Sequence, residues 1–224
     1  MTLFFRSFFV RISNMIFLDL TLLQIIFLIA TPIVVIALVV LFIVLPVNKK
    51  REKKHFREYC YKAIYKIAFD EDYYLINDMV FRIDSSKVGK IDHILFGNKY
   101  IYIINDAYYE GDLTGKENDE SLILINDKGK KFYTENQYKI SKAIVKSLSD
   151  STKIGMDLLI GIVVVNKNCK ISIETTNKQF YIIQKNKLKK LVRAIESRNV
   201  GNINAAQLEA LVKAIDKLNR KKKK

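Results

Sequence analysis

The pattern of apolar and polar positions divides the chain into unequal parts. Residues 20–47 carry no charged side chain and are dominated by Leu, Ile and Val. As a helix rising 1.5 Å per residue, those 28 positions run about 42 Å, against a bilayer hydrocarbon core of about 30 Å. One transmembrane helix is therefore predicted, with Pro32 a candidate kink and Pro46 marking its end. A cleavable signal peptide fits worse, because the run is too long and no small-x-small site follows it. Residues 1–19 form a lead-in in which Phe4, Phe5, Phe8 and Phe9 recur at helical spacing around Arg6. They read as a short interfacial helix or as a plain extension.

Beyond a basic segment at 48–55, the period changes several times. Phe56, Tyr59, Cys60, Ala63, Ile64, Ile67 and Ala68 follow the i, i+3, i+4 rule and predict an amphipathic helix over 56–69 that faces a sheet. Strands are predicted at 73–81, 88–96 and 100–105, then a loop over 110–120. A hairpin follows from 121–125 and 131–133 around Asp127-Lys128-Gly129. A helix over 135–148 leads to 158–165, a continuous apolar run that reads as a buried central strand. A strand at 179–183 and a helix marked by Leu188, Leu191, Val192 and Ile195 complete the domain at 56–196. Residues 197–203 read as a linker. Asn204 and Gln207 then form a capping box that opens a helix with Leu208, Leu211, Val212, Ile215 and Leu218 on one stripe. Residues 204–224 end in a basic tail.

The segment at 90–115, KIDHILFGNKYIYIINDAYYEGDLTG, raises the question of function. Its strands are apolar enough to be buried on both faces, yet Asp92 and His93 lie inside one of them. They either face water at a strand end or serve a site. An Ile-Asp-His-Ile box, a hairpin and a Tyr-x-Gly-x-Leu-x-Gly tail (Tyr109, Gly111, Leu113, Gly115) resemble the nuclease-related domain (NERD) family. The family's Asn-Pro-x-x-Gln element has a shortened echo in Asn136-Gln137. The resemblance covers about residues 56–196. It implies a restriction-endonuclease-like α/β fold, a mixed sheet flanked by helices, of the PD-(D/E)xK type.

It also implies a divalent metal, Mg or Mn, held between an Asp on one strand and a Glu on the next, with Lys two positions later. Asp92 matches the first position, but residues 104–107 read Ile-Asn-Asp-Ala, so Asn105 and Ala107 replace the family's Glu and Lys. An amide offers only a neutral oxygen to a metal, and alanine offers nothing. Asp106 is a candidate replacement, although strand alternation points it away from 105 and 107. Glu110 and Asp112, just past the strand, are further candidates, and Lys90 or Lys99 is a candidate for the lost cation. The family's first helix carries a Glu that reaches the metal, and Glu58 is its nearest match here, without the flanking glycines. The site is expected to be degenerate, with no cofactor unless activity survives.

Net charge is +15, which favours polyanions, although Lys- and Asn-rich composition without Trp also follows from an AT-rich genome. Lys49, Lys50, Arg51, Lys53 and Lys54 outweigh Arg6 and Arg11. The positive-inside rule therefore expects a single-pass protein of the cell membrane with its C-terminal domain in the cytoplasm. That cluster and Lys221, Lys222, Lys223 and Lys224 are candidate contacts for nucleic acid or anionic lipid. Cys60 and Cys169 lack metal-ligand spacing and read as buried thiols in a reducing compartment. A catalytically silent, membrane-anchored domain that binds DNA or RNA, or acts as a scaffold, is the first expectation. An active nuclease with a migrated carboxylate is the second. The third is an assembly factor that meets another membrane protein through the C-terminal helix.

Overall fold

The computed structural model describes residues 24–82 and 88–219; the sequence expectations for 1–23, for the connecting loop at 83–87 and for the tail at 220–224 lie outside them. The chain forms two compact units, Met1–Lys54 and His55–Lys224. In the first, helix α1 (Gln24–Val44) is long and apolar enough to cross a membrane, at 21 residues or about 31 Å. Its last turn, Val40–Val44, is wound as a π-helix, and α2 (Leu45–Glu71) follows without a break. Pro46 therefore does not end the helix. It has no N–H to place in the backbone ladder, and the wider π turn lies directly ahead of it.

The second unit is built on two mixed sheets where one had been expected. In the larger, strands β1 (Tyr74–Arg82), β2 (Val88–Phe96) and β3 (Ile101–Ala107) form an antiparallel meander. Strands β7 (Leu159–Val165) and β9 (Phe180–Gln184) then extend it in parallel, in the order β1-β2-β3-β7-β9. The smaller sheet has the order β6-β5-β4-β8, from β4 (Asp112–Lys116), β5 (Ser121–Ile125), β6 (Lys131–Glu135) and β8 (Ile171–Glu174). The predicted loop at 110–120 thus contains a strand. β4 pairs antiparallel with β5 and parallel with β8, a partner more than fifty residues away.

Every residue of β7 is buried because helices cover both faces of the larger sheet. Ile160, Ile162 and Val164 meet Phe56, Cys60, Ile64 and Ile67 of α2 and Leu188, Val192 and Ile195 of α4 (Leu188–Glu196). Leu159, Val163 and Val165 belong to the other core, with Tyr138, Val145 and Leu148 of α3 (Gln137–Thr152). Gly161 lies among them because a Cβ there would collide with Ser141 Oγ and the Phe180 ring. Helix α5 (Ala205–Leu218) opens with the predicted capping box and buries Ile215 in this same core, so its apolar stripe is used by its own domain.

Two polar contacts fasten the layers. Glu196, at the end of α4, accepts from the Tyr102 hydroxyl at 2.6 Å and from the Lys99 N–H at 3.1 Å. Burial holds its carboxyl above the usual range. Gly97 is needed for space, since a side chain there would strike the Glu196 carboxylate. Asn136 caps α3 by accepting from Tyr138 N–H at 3.0 Å, while its amide donates to the carbonyls of Lys116, Glu117 and Asp119 at 3.3, 3.1 and 2.7 Å. Asn136→Ala removes the cap and the contacts to those three carbonyls together. Urea denaturation should register a loss of about 2–3 kcal/mol.

Candidate active-site cleft

Strands β1 and β2 break their alternation at one pair of positions. Pairing runs through Asn77 with His93 and resumes at Met79 with Ile91, and between them Asp78 adopts φ +59°. Ile76 and Met79 consequently pack in the same core although they are three residues apart, and so do Ile91 and Ile94. Asp tolerates the left-handed region better than most residues, so the break is affordable at this position. It lies opposite Asp92.

Asp92 and His93 are both buried, at 7% and 3% exposure, so the water-facing alternative is ruled out. Asp92 Oδ1 lies 2.9 Å from Arg57 Nη2 and 3.0 Å from Lys90 Nζ, in ion pairs outside hydrogen-bond angles. Its Oδ2 accepts from the backbone N–H of Asp106 at 3.1 Å and faces Asn105 Nδ2 at 3.5 Å. Arg57 also pairs with Asp78. Burial opposes the charge on Asp92, but the Asp106 N–H, Lys90 and Arg57 together hold its carboxyl below the ordinary 3.8.

The two faces of β3 carry different chemistry. Asn105 follows Ile101 and Ile103 toward α3 and donates to the Lys90 carbonyl at 3.1 Å; Ala107 packs on that same core. Asp106 follows Tyr102 and Ile104 toward α2, where its Oδ2 meets His93 Nε2 at 3.0 Å. His93 Nδ1 meets Asn77 Oδ1 at 2.6 Å. Burial, and then the nearby Asp106 charge, push the Cys60 thiol far above its ordinary value. Both cysteines are free and buried.

The other sequence candidates do not converge on Asp92. Glu58 is half exposed and binds Lys62 at 2.6 Å and His55 at 3.2 Å. Lys99 donates to the Arg198 carbonyl, and Asp112 belongs to the smaller sheet, where it accepts from Lys170 N–H at 3.4 Å. Glu110 is exposed in the bend between β3 and β4. Lys50, Arg51, Lys53 and Lys54 are exposed on α2 in the first unit, and Lys49 lies in the same helical run. Arg57, which the sequence reading missed, reaches the site in place of Glu58. At 100° per residue, Arg57 stands about 60° from the buried Cys60 around the helix and Glu58 about 160°. The signal was present in the wheel.

A cleft of about 400 Å³ runs between Lys90, Asp92 and Asn105 on the sheet and Gln137, Ile140, Ser141 and Ile144 on α3. The opposite, exposed side of α3 carries Lys139, Lys142 and Lys146, a basic stripe that sequence reasoning also passed over. The metal implied by the family resemblance does not fit this donor set. One carboxylate is already met by two cations, the neighbouring amide turns its nitrogen toward it, and Asp106 points to the other face. Among the described residues, no group of three His, Cys, Asp or Glu is placed to hold a metal ion.

The Asp92 ion pairs carry a pH signature. Its carboxyl is depressed in the fold, so the stability it contributes is present above the ordinary value of 3.8 and is lost as pH falls through the folded value. Asp92→Asn should cost about 1–2 kcal/mol at neutral pH, since Arg57 and Lys90 are half exposed and screened. In thermal unfolding followed from pH 7 to pH 2, the gap between variant and parent should close below about pH 4.

A search of the curated proteins gives no match. Among solved structures, the crystal structure of a protein of unknown function, AF1548, is similar at 8% identity over 67% of this chain and 74% of that one. Its TM-score is 0.28, too low to bear on the site. The nuclease-related domain family matches residues 53–166, about half of the sequence, which takes in α2 from Lys53 through the buried strand β7. The chain belongs to the nuclease-related domain (NERD) family.

Proposed function

We propose that this protein is a membrane-anchored NERD domain that has lost phosphodiester cleavage and retains the binding of nucleic acid. The observation that carries the proposal is the state of Asp92. In a metal-dependent nuclease that carboxylate holds a cation that activates water. Here Arg57 and Lys90 stand at the same oxygen, with Asn105 and Ala107 at the positions of the family's Glu and Lys. Protein cations answer the charge that a metal otherwise answers, and Asp106, which also borders the cleft, has its carboxylate engaged by His93.

Binding is supported by charge. The chain carries +15 overall, and Lys139, Lys142 and Lys146 are exposed on one helical stripe of α3. Lysines so spaced suit successive phosphates of a backbone and read no bases, so affinity without sequence preference is expected. Anchoring is supported by helix α1, and the basic residues from Lys49 to Lys54 support a cytoplasmic side for the folded unit by the positive-inside rule.

The test uses the full chain in detergent micelles with labelled single- and double-stranded DNA and RNA, with and without Mn²⁺. Binding should weaken steeply with salt, and the triple change of Lys139, Lys142 and Lys146 to Ala should flatten the slope of log K against log salt by about one unit per lysine in contact. Mn²⁺-dependent cleavage that disappears with Asp92→Ala would overturn the loss of catalysis. An absence of salt-sensitive affinity would overturn the binding role.

A further inference from the structure

Helix α2 buries Phe56, Cys60, Ile64, Ile67 and Ala68 against the sheet, so its opposite arc faces outward. On that arc Phe69 is 78% exposed and Tyr65 53%, and Tyr61 at its flank stacks on Tyr65 with ring centroids 6.0 Å apart. A phenylalanine this open to water covers nothing in its own domain. Its neighbours on the arc are Lys62 and Lys66, and the one acid there, Glu58, is answered by Lys62 and His55. Helix α4, on the same face of the sheet, and its N-cap add exposed Lys190 and Lys187, while Lys189 and Arg193 neutralise Asp70 and Glu71.

We propose that this face of the domain, centred on Tyr61, Tyr65 and Phe69 and ringed by Lys62, Lys66, Lys187 and Lys190, rests on the headgroup layer of an anionic bilayer. Rings that are apolar on one side and wet on the other, interleaved with long cationic stems, are the composition that sits at a membrane interface. Each lysine adds attraction to an anionic leaflet. The surface is a convex helix flank, which suits a plane better than it suits a single strand threaded through a groove. The proposal rests on the anchoring by α1. The ten residues between Val44 and His55 belong to α2, so docking requires the helix to bend within them, beside Pro46 and the π turn, where the backbone ladder is already interrupted. The α3 lysines and the Asp92 cleft lie on the other face of the sheet and remain free for nucleic acid.

The chain contains no tryptophan, so a single substitution makes a local reporter. Phe69→Trp is placed in the full-length protein, with Tyr133→Trp, at an 84% exposed position on β6, as the control. Each is reconstituted into nanodiscs of phosphatidylcholine alone or with one third phosphatidylserine, with brominated acyl chains as the quencher. In the anionic discs the Phe69→Trp emission should shift to the blue and be quenched by about two-fold or more, with Tyr133→Trp unchanged. The double change of Lys62 and Lys66 to Glu should abolish that quenching without altering the thermal transition. Equal quenching of the two reporters overturns the docking proposal, and so does a Phe69→Trp response to an oligonucleotide in place of lipid. Failure of the chain to co-elute with discs overturns the anchoring itself, a result distinct from co-elution without quenching.

Discussion

A carboxylate enclosed in a sheet must have its charge met, and meeting that of Asp92 joins three strands to a helix. The backbone break at Asp78 and Asp92 lets the carboxylate reach the Asp106 N–H on β3. Arg57 comes from α2 and Lys90 from two positions earlier on β2. Arg57 also holds Asp78, so one guanidinium fixes the helix against the distorted pair. Removing either partner of such a contact leaves the other charge partly desolvated, which is why the ion pairs and the strand break are coupled. The His93, Asp106 and Asn77 contacts lie next to them on the α2 side. Hydrogen bonding thereby continues across a sheet whose remaining positions are almost wholly apolar.

Much of this architecture was legible because burial writes itself into period. The run of β7 announced a strand covered on both sides, and the capping box at Asn204 and Gln207 announced α5. The smaller sheet was not legible. Asp112–Lys116 holds one large apolar residue, Leu113, among polar ones, and it becomes a strand only because β5 and the four-residue β8 come to its two edges. Such pairing is a tertiary fact with no local period. Pro46 misled for the converse reason, because a local stop signal was overridden by a π turn ahead of it.

The candidate site divides along similar lines. Alternation along β3 was sufficient to separate Asn105 from Asp106, and the family resemblance located Asp92 within the fold. Neither indicated that Asp92 would meet two protein cations, because Arg57 is 35 positions away and its reach depends on the break at Asp78, which has no sequence signature. Glu58 drew attention as an acid near a family motif, while the helical wheel favoured its neighbour. A domain keeps its fold through its hydrophobic layers, while a few side chains decide whether a metal can enter.

The protein itself supplies the countercharge to Asp92. Mn²⁺ binding followed by electron paramagnetic resonance tests it directly, because protein-bound Mn²⁺ loses the sharp signal of the free hydrated ion. The full-length protein at millimolar Mn²⁺ should leave that signal undiminished across neutral pH. A stoichiometric loss of the signal in the parent protein, abolished by Asp92→Asn, would contradict the account and restore a metal to the cleft.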